Sequence, residues 1–430
     1  MYQTRKGSSV WVRMLGVGLL LSAFPGSVLA ASWCVNPGVS TCMATIGAAI
    51  AAASAGDVIT VAPGTYKESV KIGVPLTLIG SDATKTIIDA TGLSTGIYVD
   101  GIDSQNLANV VISGFTVQNA NFEGILVTNA SAITVASNIV QGNDKSLIFS
   151  FTNPTCPGQP AFETAEGDDC GEGIHLIGVD HAAISGNTVT NNAGGILLSD
   201  ETQAVHDNVL SGNTVSNNAL DCGITLASHP PFTTSTTAAP FGVYRNTMVD
   251  NQVTQNGLKG FGAGIGLFSP VPGGAVYANV VLDNTATGNG LPGVTIHAHT
   301  PGQNFNNNVI IGNQISGNGA DSEDAFTPGP AGINFLSVSP VTGTVISGNT
   351  ISQETDAVVW HAPGVALVNR NTLTGTYGVL NLGTGTVSAD NNWWGCNNNP
   401  TNYFSALFGG CSLASGSVSV NTWLSSIPAK

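Results

Sequence analysis

Carboxylates and histidines crowd into one stretch of this chain. Glu163, Glu166, Asp168, Asp169, Glu172, His175 and Asp180 fall between Asp144 and His181, in a sequence with only 26 acidic residues among 430. Two kinds of chemistry suit such a cluster. Paired acids facing one cleft can protonate a glycosidic oxygen and assist attack at the sugar carbon. Several carboxylates on one loop can instead hold Ca²⁺ through oxygen ligands. Asp169, Glu172 and His175 are the catalytic candidates; Asp180, Glu201 and His229 are candidates for substrate contact; Glu166 and Asp168 are candidates for Ca²⁺. A solvated acidic loop with no chemistry is the alternative these residues leave open.

Other titratable residues read as surface. His181, Asp207 and Arg245 each stand six residues before a recurring asparagine and would stack as a charge ladder. His297 and His361 share an outward register position, but Leu336 separates them, which argues against a metal pair; His299 follows in a turn.

The elements that must position these side chains come from a repeat. Ile184-Ser185-Gly186-Asn187-Thr188-Val189 returns as Leu210 to Val215, Ile310 to Ile315 and Ile346 to Ile351, with a looser copy from Val368 to Leu373. Between the copies sits a glycine followed by an apolar-x-apolar strand, as at Gly173-Ile174-His175-Leu176, Gly195-Ile196-Leu197-Leu198 and Gly223-Ile224-Thr225-Leu226. Such a unit cannot bury its own apolar side. Stacked as parallel strands about 4.8 Å apart, units of this kind bury one continuous core. Alternation sends Ile and Leu inward and the residue between them, including His175, outward. The repeated asparagine tolerates left-handed backbone and can bond its copies above and below. A second series follows five residues later: Asn143, Asn192, Asn218, Asn256, Asn289 and Asn318. Helical solenoids are disfavoured, because Gly, Thr, Asn and Val are too frequent for long amphipathic helices. Long intervals between the strand glycines mark inserted loops, chiefly residues 144–171.

Residues 1–30 read as a signal peptide: Arg5, Lys6 and Arg13 precede an apolar stretch that ends in Val28-Leu29-Ala30. Three basic residues and no acidic one leave with it, so the net charge moves from −15 to −18. That opposes nucleic-acid binding, and polyuronate binding unless a cation bridges. No further apolar run is long enough to span a membrane. All seven cysteines follow the leader, as an oxidising compartment would allow. Cys34 with Cys42, Cys156 with Cys170 and Cys396 with Cys411 are plausible pairs. Cys222 is left as a buried thiol or as a substitute partner in the loop pair. The organisation expected is a lead-in and capping helix over 31–57, repeats over 58–390, and a C-terminal cap over 391–430, begun where Asn391-Asn392-Trp393-Trp394-Gly395 breaks the repeat.

Thr45-Ile46, Ala48 to Ala53, Gly56-Asp57-Val58-Ile59, Pro63-Gly64-Thr65-Tyr66-Lys67-Glu68 and Leu76-Thr77-Leu78-Ile79-Gly80 together resemble the opening of right-handed parallel β-helix proteins of the pectin-lyase-like superfamily. The Asn-Asn-Trp-Trp-Gly close resembles the exit of secreted bacterial β-helix repeat proteins. The resemblance implies an all-β, right-handed parallel β-helix with a short N-terminal capping helix and a C-terminal cap. It implies no single activity, because the fold hosts lyases, hydrolases, esterases, epimerases and adhesins. Gly64 to Glu68 is similar to the first motif of pectin methylesterases, but the later motifs are missing. Of the polygalacturonase motifs only Asp168-Asp169 is present, and Arg245 and Arg370 lie outside pectate-lyase contexts. NosD-like proteins are copper-linked relatives of this architecture. Beyond the leader, Met43 and Met248 are too few to argue for soft-metal handling.

The expectation is therefore a monomeric, exported protein, periplasmic or extracellular, that binds a polysaccharide or surface glycan without nucleic acid or a membrane span. Its alternative is a carbohydrate-active enzyme with an acidic groove near Glu172 and His175. No cofactor is required; Ca²⁺ is the one ion with a candidate site.

Overall fold

The computed structural model describes residues 30–150, 154–164, 169–233, 238–259, 262–404 and 409–428. Residues 1–29 of the expected leader lie outside them. Glu172–Ile177, Ala183–Ser185 and Thr188–Thr190 form one coil, and Gly194–Ser199 opens the next. Equivalent strands pair in parallel from coil to coil, building a first sheet of 14 strands, a second of 12 and a third of 11. A three-stranded sheet of Val205–His206, Val243–Tyr244 and Val276–Tyr277 fills one corner.

Register explains the core. Ile174 pairs with Ile196, Ile196 with Ile224 and Ile224 with Ile265, and none of the four is exposed. Each such side chain contributes about 1.5–3 kcal/mol by leaving water. Like residues stack on like, which only a coil of constant circumference permits.

Asparagines clamp the turns. Asn187 donates from its backbone N and from Nδ2 to Asn213 Oδ1, both at 3.0 Å, and from Nδ2 to the Val135 carbonyl at 2.8 Å. The same pattern links Asn138, Asn187, Asn213, Asn251, Asn284, Asn313, Asn349, Asn371 and Asn392. The second series runs from Asn143 to Asn318 as expected and ends on Glu354. A third ladder, Asn208, Asn246, Asn279 and Asn308, precedes strands of the first sheet and was not anticipated. These amides lie in the dry interior of the turns, where an unpaired polar group is costly, so mutual bonding is what makes them tolerable.

Two expectations need correction. The ladder asparagines do not take left-handed backbone. The residue before each one does: Gly186 and Gly212 (φ 61°), Asp250 (φ 55°), Arg370 (φ 55°). Glycine recurs there because it enters that region without strain. Nor do the tryptophans break the repeat. Asn392 joins the ladder, Trp393 bridges Thr372, and Trp394 is fully buried against the last coils. The tail then adds Leu413–Ser415 and Val418–Ser419 to two sheets.

At the other end, Ile46–Ala52 is helical, capped by Thr45, which accepts from the Ala48 N–H at 3.1 Å. Ile46 and Ala49 face the first coil and are buried. Disulfides join Cys34–Cys42, Cys156–Cys170 and Cys396–Cys411, leaving Cys222 a buried free thiol. Among the described residues no helix is long and apolar enough to cross a membrane.

Candidate functional site

The outward row of the second sheet was expected to be surface, and most of it is covered. Leu126, His175, Leu197, Thr225, Thr295 and Asn334 are all at most 6% exposed. Inserted segments fold back over this face. Phe162 stacks on Tyr98 with ring centres 6.4 Å apart, and Phe122, Leu147 and the Cys156–Cys170 bridge form a small apolar cluster beneath the insertion.

A cavity of about 370 Å³ remains between these covers. Thr225, Gly266 and Thr295 form its floor. Gly266 deepens it at an outward position, since a Cβ there would stand 3.1 Å from Cys222 Sγ. Leu147, Phe149, Asp169, Asp221 and His229 bound one side; His297, Asp321, Glu323 and Asp324 bound the other.

On the first side, His229 Nε2 meets Asp169 Oδ2 at 3.1 Å, and its Nδ1 meets Glu201 Oε1 at 3.0 Å. Burial alone would lower the His229 pKa, but the Asp169 and Glu201 carboxylates outweigh it and push it up to about 10. The imidazolium in return holds Glu201 low against its own burial. Asp221 is pushed up by burial. Glu172 is raised well above the usual carboxylate range by burial, then by the charges of Asp221, Asp169 and Glu123. Gly194 is its register partner, and a Cβ at that position would collide with the Glu172 carboxyl.

On the other side, His297 Nδ1 and His299 Nε2 lie 3.0 and 3.2 Å from the same oxygen, Asp324 Oδ2. His297 Nε2 contacts Asp321 Oδ2 at 2.9 Å. The Asp321 carboxylate is itself fixed by the N–H groups of Asp324 and Ala325.

The candidates therefore separate. Asp169 and His229 line the cavity together, and Glu201 supports His229 from behind. Glu172 and His175 are buried outside the lining, at 0% and 1% exposure, which corrects the expectation of an open groove at those two residues. Burial lowers His175 to about 4, so it is neutral at pH 7. Asp180 stands apart in a turn, bonded to Ser131 Oγ and His181 Nδ1 at 2.6 Å each. Glu166 and Asp168, the Ca²⁺ candidates, lie outside the described residues. Asp321, Asp324 and the pairing of His297 with His299 were missed as site residues. The long interval from Gly293 to Gly332 was the available signal, because it marks a second insertion. Of the expected ladder, Asp207 and Arg245 meet at the surface: Arg245 binds Asp207 at 2.6 and 2.8 Å, beside stacked His206, Tyr244 and Tyr277 rings, while His181 bonds Asp180.

A family model described as periplasmic copper-binding protein (NosD) matches residues 51–257, just under half the chain. Among solved structures, the DFA-IIIase of Arthrobacter chlorophenolicus A6, without its lid and in complex with GF2, aligns with a TM-score of 0.52 at 12% identity, covering 91% of this chain and 98% of that one. The chain is a right-handed parallel β-helix. This β-helix also aligns with the Agl-KA catalytic domain at a TM-score of 0.51 and 14% identity, over 88% of its own length and 64% of that domain. No curated protein sequence matches it. Identities this low speak to the fold alone.

The residues of this β-helix can be tested against copper. Met248 is fully buried in the core, Cys222 is buried with its thiol raised well above its usual range, and the six other cysteines are in disulfides. No soft thiolate or thioether set for Cu(I) exists among the described residues. Nitrogen and oxygen donors suit Cu(II), and His297, His299 and Asp324 provide them within 4.8 Å of one another.

Proposed function

We propose that this is an exported protein, periplasmic or extracellular, that binds a short carbohydrate segment in the cavity over its second sheet. One observation carries the reading. The cavity sets carboxylates and imidazoles, from Asp169, Asp221, His229 and Asp324, around apolar side chains from Leu147, Phe149, Phe268 and Leu291. A sugar offers that combination in reverse, with hydroxyl donors around its rim and C–H faces. A volume of about 370 Å³ falls at the lower end of small-ligand sites. Its acidic lining, like the net charge of the exported chain, favours a neutral glycan over a uronate. Calorimetry of the exported chain against neutral and uronic oligosaccharides tests this. Asp221→Asn and Asp324→Asn should each weaken binding of a neutral ligand about tenfold or more. Absence of binding to every neutral sugar, or unchanged affinity in both variants, would sink it.

A catalytic reading has its own support, and it differs from one built on Glu172 and His175. Asp221, pushed up by burial, lines the same cavity as Asp321, which His297 holds low against its own burial. Carboxyls with pKa values driven apart are what an acid and a base require. Release of reducing ends that stops in Asp221→Asn supports it; binding without turnover on any bound sugar removes it. Should Cu(II) be the cargo instead, His297, His299 and Asp324 would hold it, and electron paramagnetic resonance would show nitrogen coupling that Asp324→Asn perturbs.

A further inference from the structure

Beneath the inserted segment, away from the cavity, three side chains from distant parts of the chain meet. Glu123 comes from the turn before Ile125–Thr128, Glu163 from the insertion, and His175 from the middle of Glu172–Ile177. One ligand atom of each lies within 4.8 Å of the other two. All three are buried, at 0%, 8% and 1% exposure. Both oxygens of Glu123, Oε1 of Glu163 and Nδ1 of His175 have no hydrogen-bond partner.

Unpartnered polar atoms rarely gather in a protein interior, because each forfeits about 1–3 kcal/mol of hydration or more. The neighbourhood supplies no balancing cation among the described residues. His229, the nearby imidazolium, is already held between Asp169 and Glu201. Among the described residues no lysine or arginine forms an ion pair with Glu123 or Glu163.

The histidine is oriented as a ligand would be. His175 Nε2 lies 2.8 Å from Ser199 Oγ. With Nε2–H donating to the serine oxygen, the unpartnered Nδ1 would present its lone pair to the two carboxylates. Metal-bound histidines are fixed in this way, through a bond on the ring nitrogen that does not bind the metal.

We propose that Glu123, Glu163 and His175 bind a divalent first-row ion of the Zn²⁺ or Mn²⁺ class. Two carboxylates and one neutral imidazole suit that class; Ca²⁺ takes six or more oxygens and finds too few here. The ion would tie Glu163 of the insertion to two successive coils, and so fix the segment that supplies Leu147, Phe149 and Asp169 to the cavity. The inference stands apart from the carbohydrate reading, since none of the three ligands lines the cavity.

The test uses the exported chain stripped with a strong chelator. Zn²⁺ and Mn²⁺ are titrated separately by calorimetry, and melting is followed with and without each ion. Wild type should take up roughly one equivalent that Asp324→Asn retains, with a rise in melting midpoint. Glu163→Gln and His175→Gln should lose that equivalent and the rise. Ser199→Ala should weaken it about tenfold, as loss of an orienting partner does. Circular dichroism confirms that each variant keeps its coils, and Glu163→Gln, on the insertion, is the one least able to disturb them. Two outcomes overturn the proposal: a stripped wild type that binds neither ion, or survival, in both Glu163→Gln and His175→Gln, of the equivalent that Asp324→Asn retains. Stripped protein that melts as before while Glu123→Gln raises its midpoint would overturn it too, by identifying the cluster as protonated acids.

Discussion

Asn318 donates from its backbone N–H and from Nδ2 to one oxygen of Glu354, at 3.0 Å each. In the coils before it, that acceptor is another asparagine. Here a carboxyl has replaced the amide, and its second oxygen is buried without a partner.

This substitution makes the last rung sensitive to pH. Burial pushes Glu354 up to about 7, against the two bonds from Asn318. A carboxyl raised in the folded state binds its proton more tightly there than in the unfolded chain, whose value is near 4.5. The stabilisation is complete below about pH 4.5 and is lost as pH rises through 7. The loss is at most about 3 kcal/mol. Asp356, raised by burial to about 6, adds to the same slope. Melting midpoints between pH 5 and 8 should fall in wild type and fall less in Glu354→Gln. Parallel curves would contradict this.

A mid-ladder asparagine should matter more than its size suggests. Asn251 Oδ1 accepts from the backbone N–H and the Nδ2 of Asn213, and Asn251 Nδ2 donates to Asn284 Oδ1 and to the Leu210 carbonyl. Asn251→Ala would strand buried groups on both neighbouring coils. Urea unfolding should show a loss of roughly 3 kcal/mol or more; a loss under about 1 kcal/mol would mean that water or a shifted turn replaces the ladder.

The register pair Glu172 and Gly194 predicts a rescue. Gly194→Ala should lower stability or yield sharply, because the new methyl group meets the Glu172 carboxyl. Adding Glu172→Ala should recover much of the loss, as coupled neighbours do. Equal losses in the single and double variants would rule out the collision.

Cys222 should resist alkylation at pH 8 in the native protein and react once unfolded. Burial and the adjacent Asp221 raise its thiol well above the usual range, so little thiolate is present. Rapid native labelling would show that the cavity opens to it.

Arg245→Ala should leave the melting curve unchanged within error. Its pair with Asp207 is exposed to solvent, where ion pairs contribute little. A clear loss would give that strip a structural role.

Much of the fold was legible because the coil forces like residues to align. Ile184, Leu210 and Met248 share one register, and the Gly-Asn turn marks it in the sequence. Less of the site was legible. Alternation placed His175 on the outer face correctly, yet could not show that Glu163 and Phe162 would fold over it. Coverage depends on where an insertion lands, and insertions carry no period. Asp321 and Asp324 escaped notice for the same reason: they reach the cavity from a second insertion.

Asn143 and Asn192 stand on either side of the longest insertion, and the first donates twice to the second, at 3.0 and 3.1 Å. The chain thus returns to its rung through a fixed anchor, whatever lies between. Length and composition of the excursion can change without shifting the rod beneath. Specificity in such a protein is free to drift by replacement of its overhangs while the trunk endures, and a graft between Asn143 and Glu172 is the natural place to redesign it.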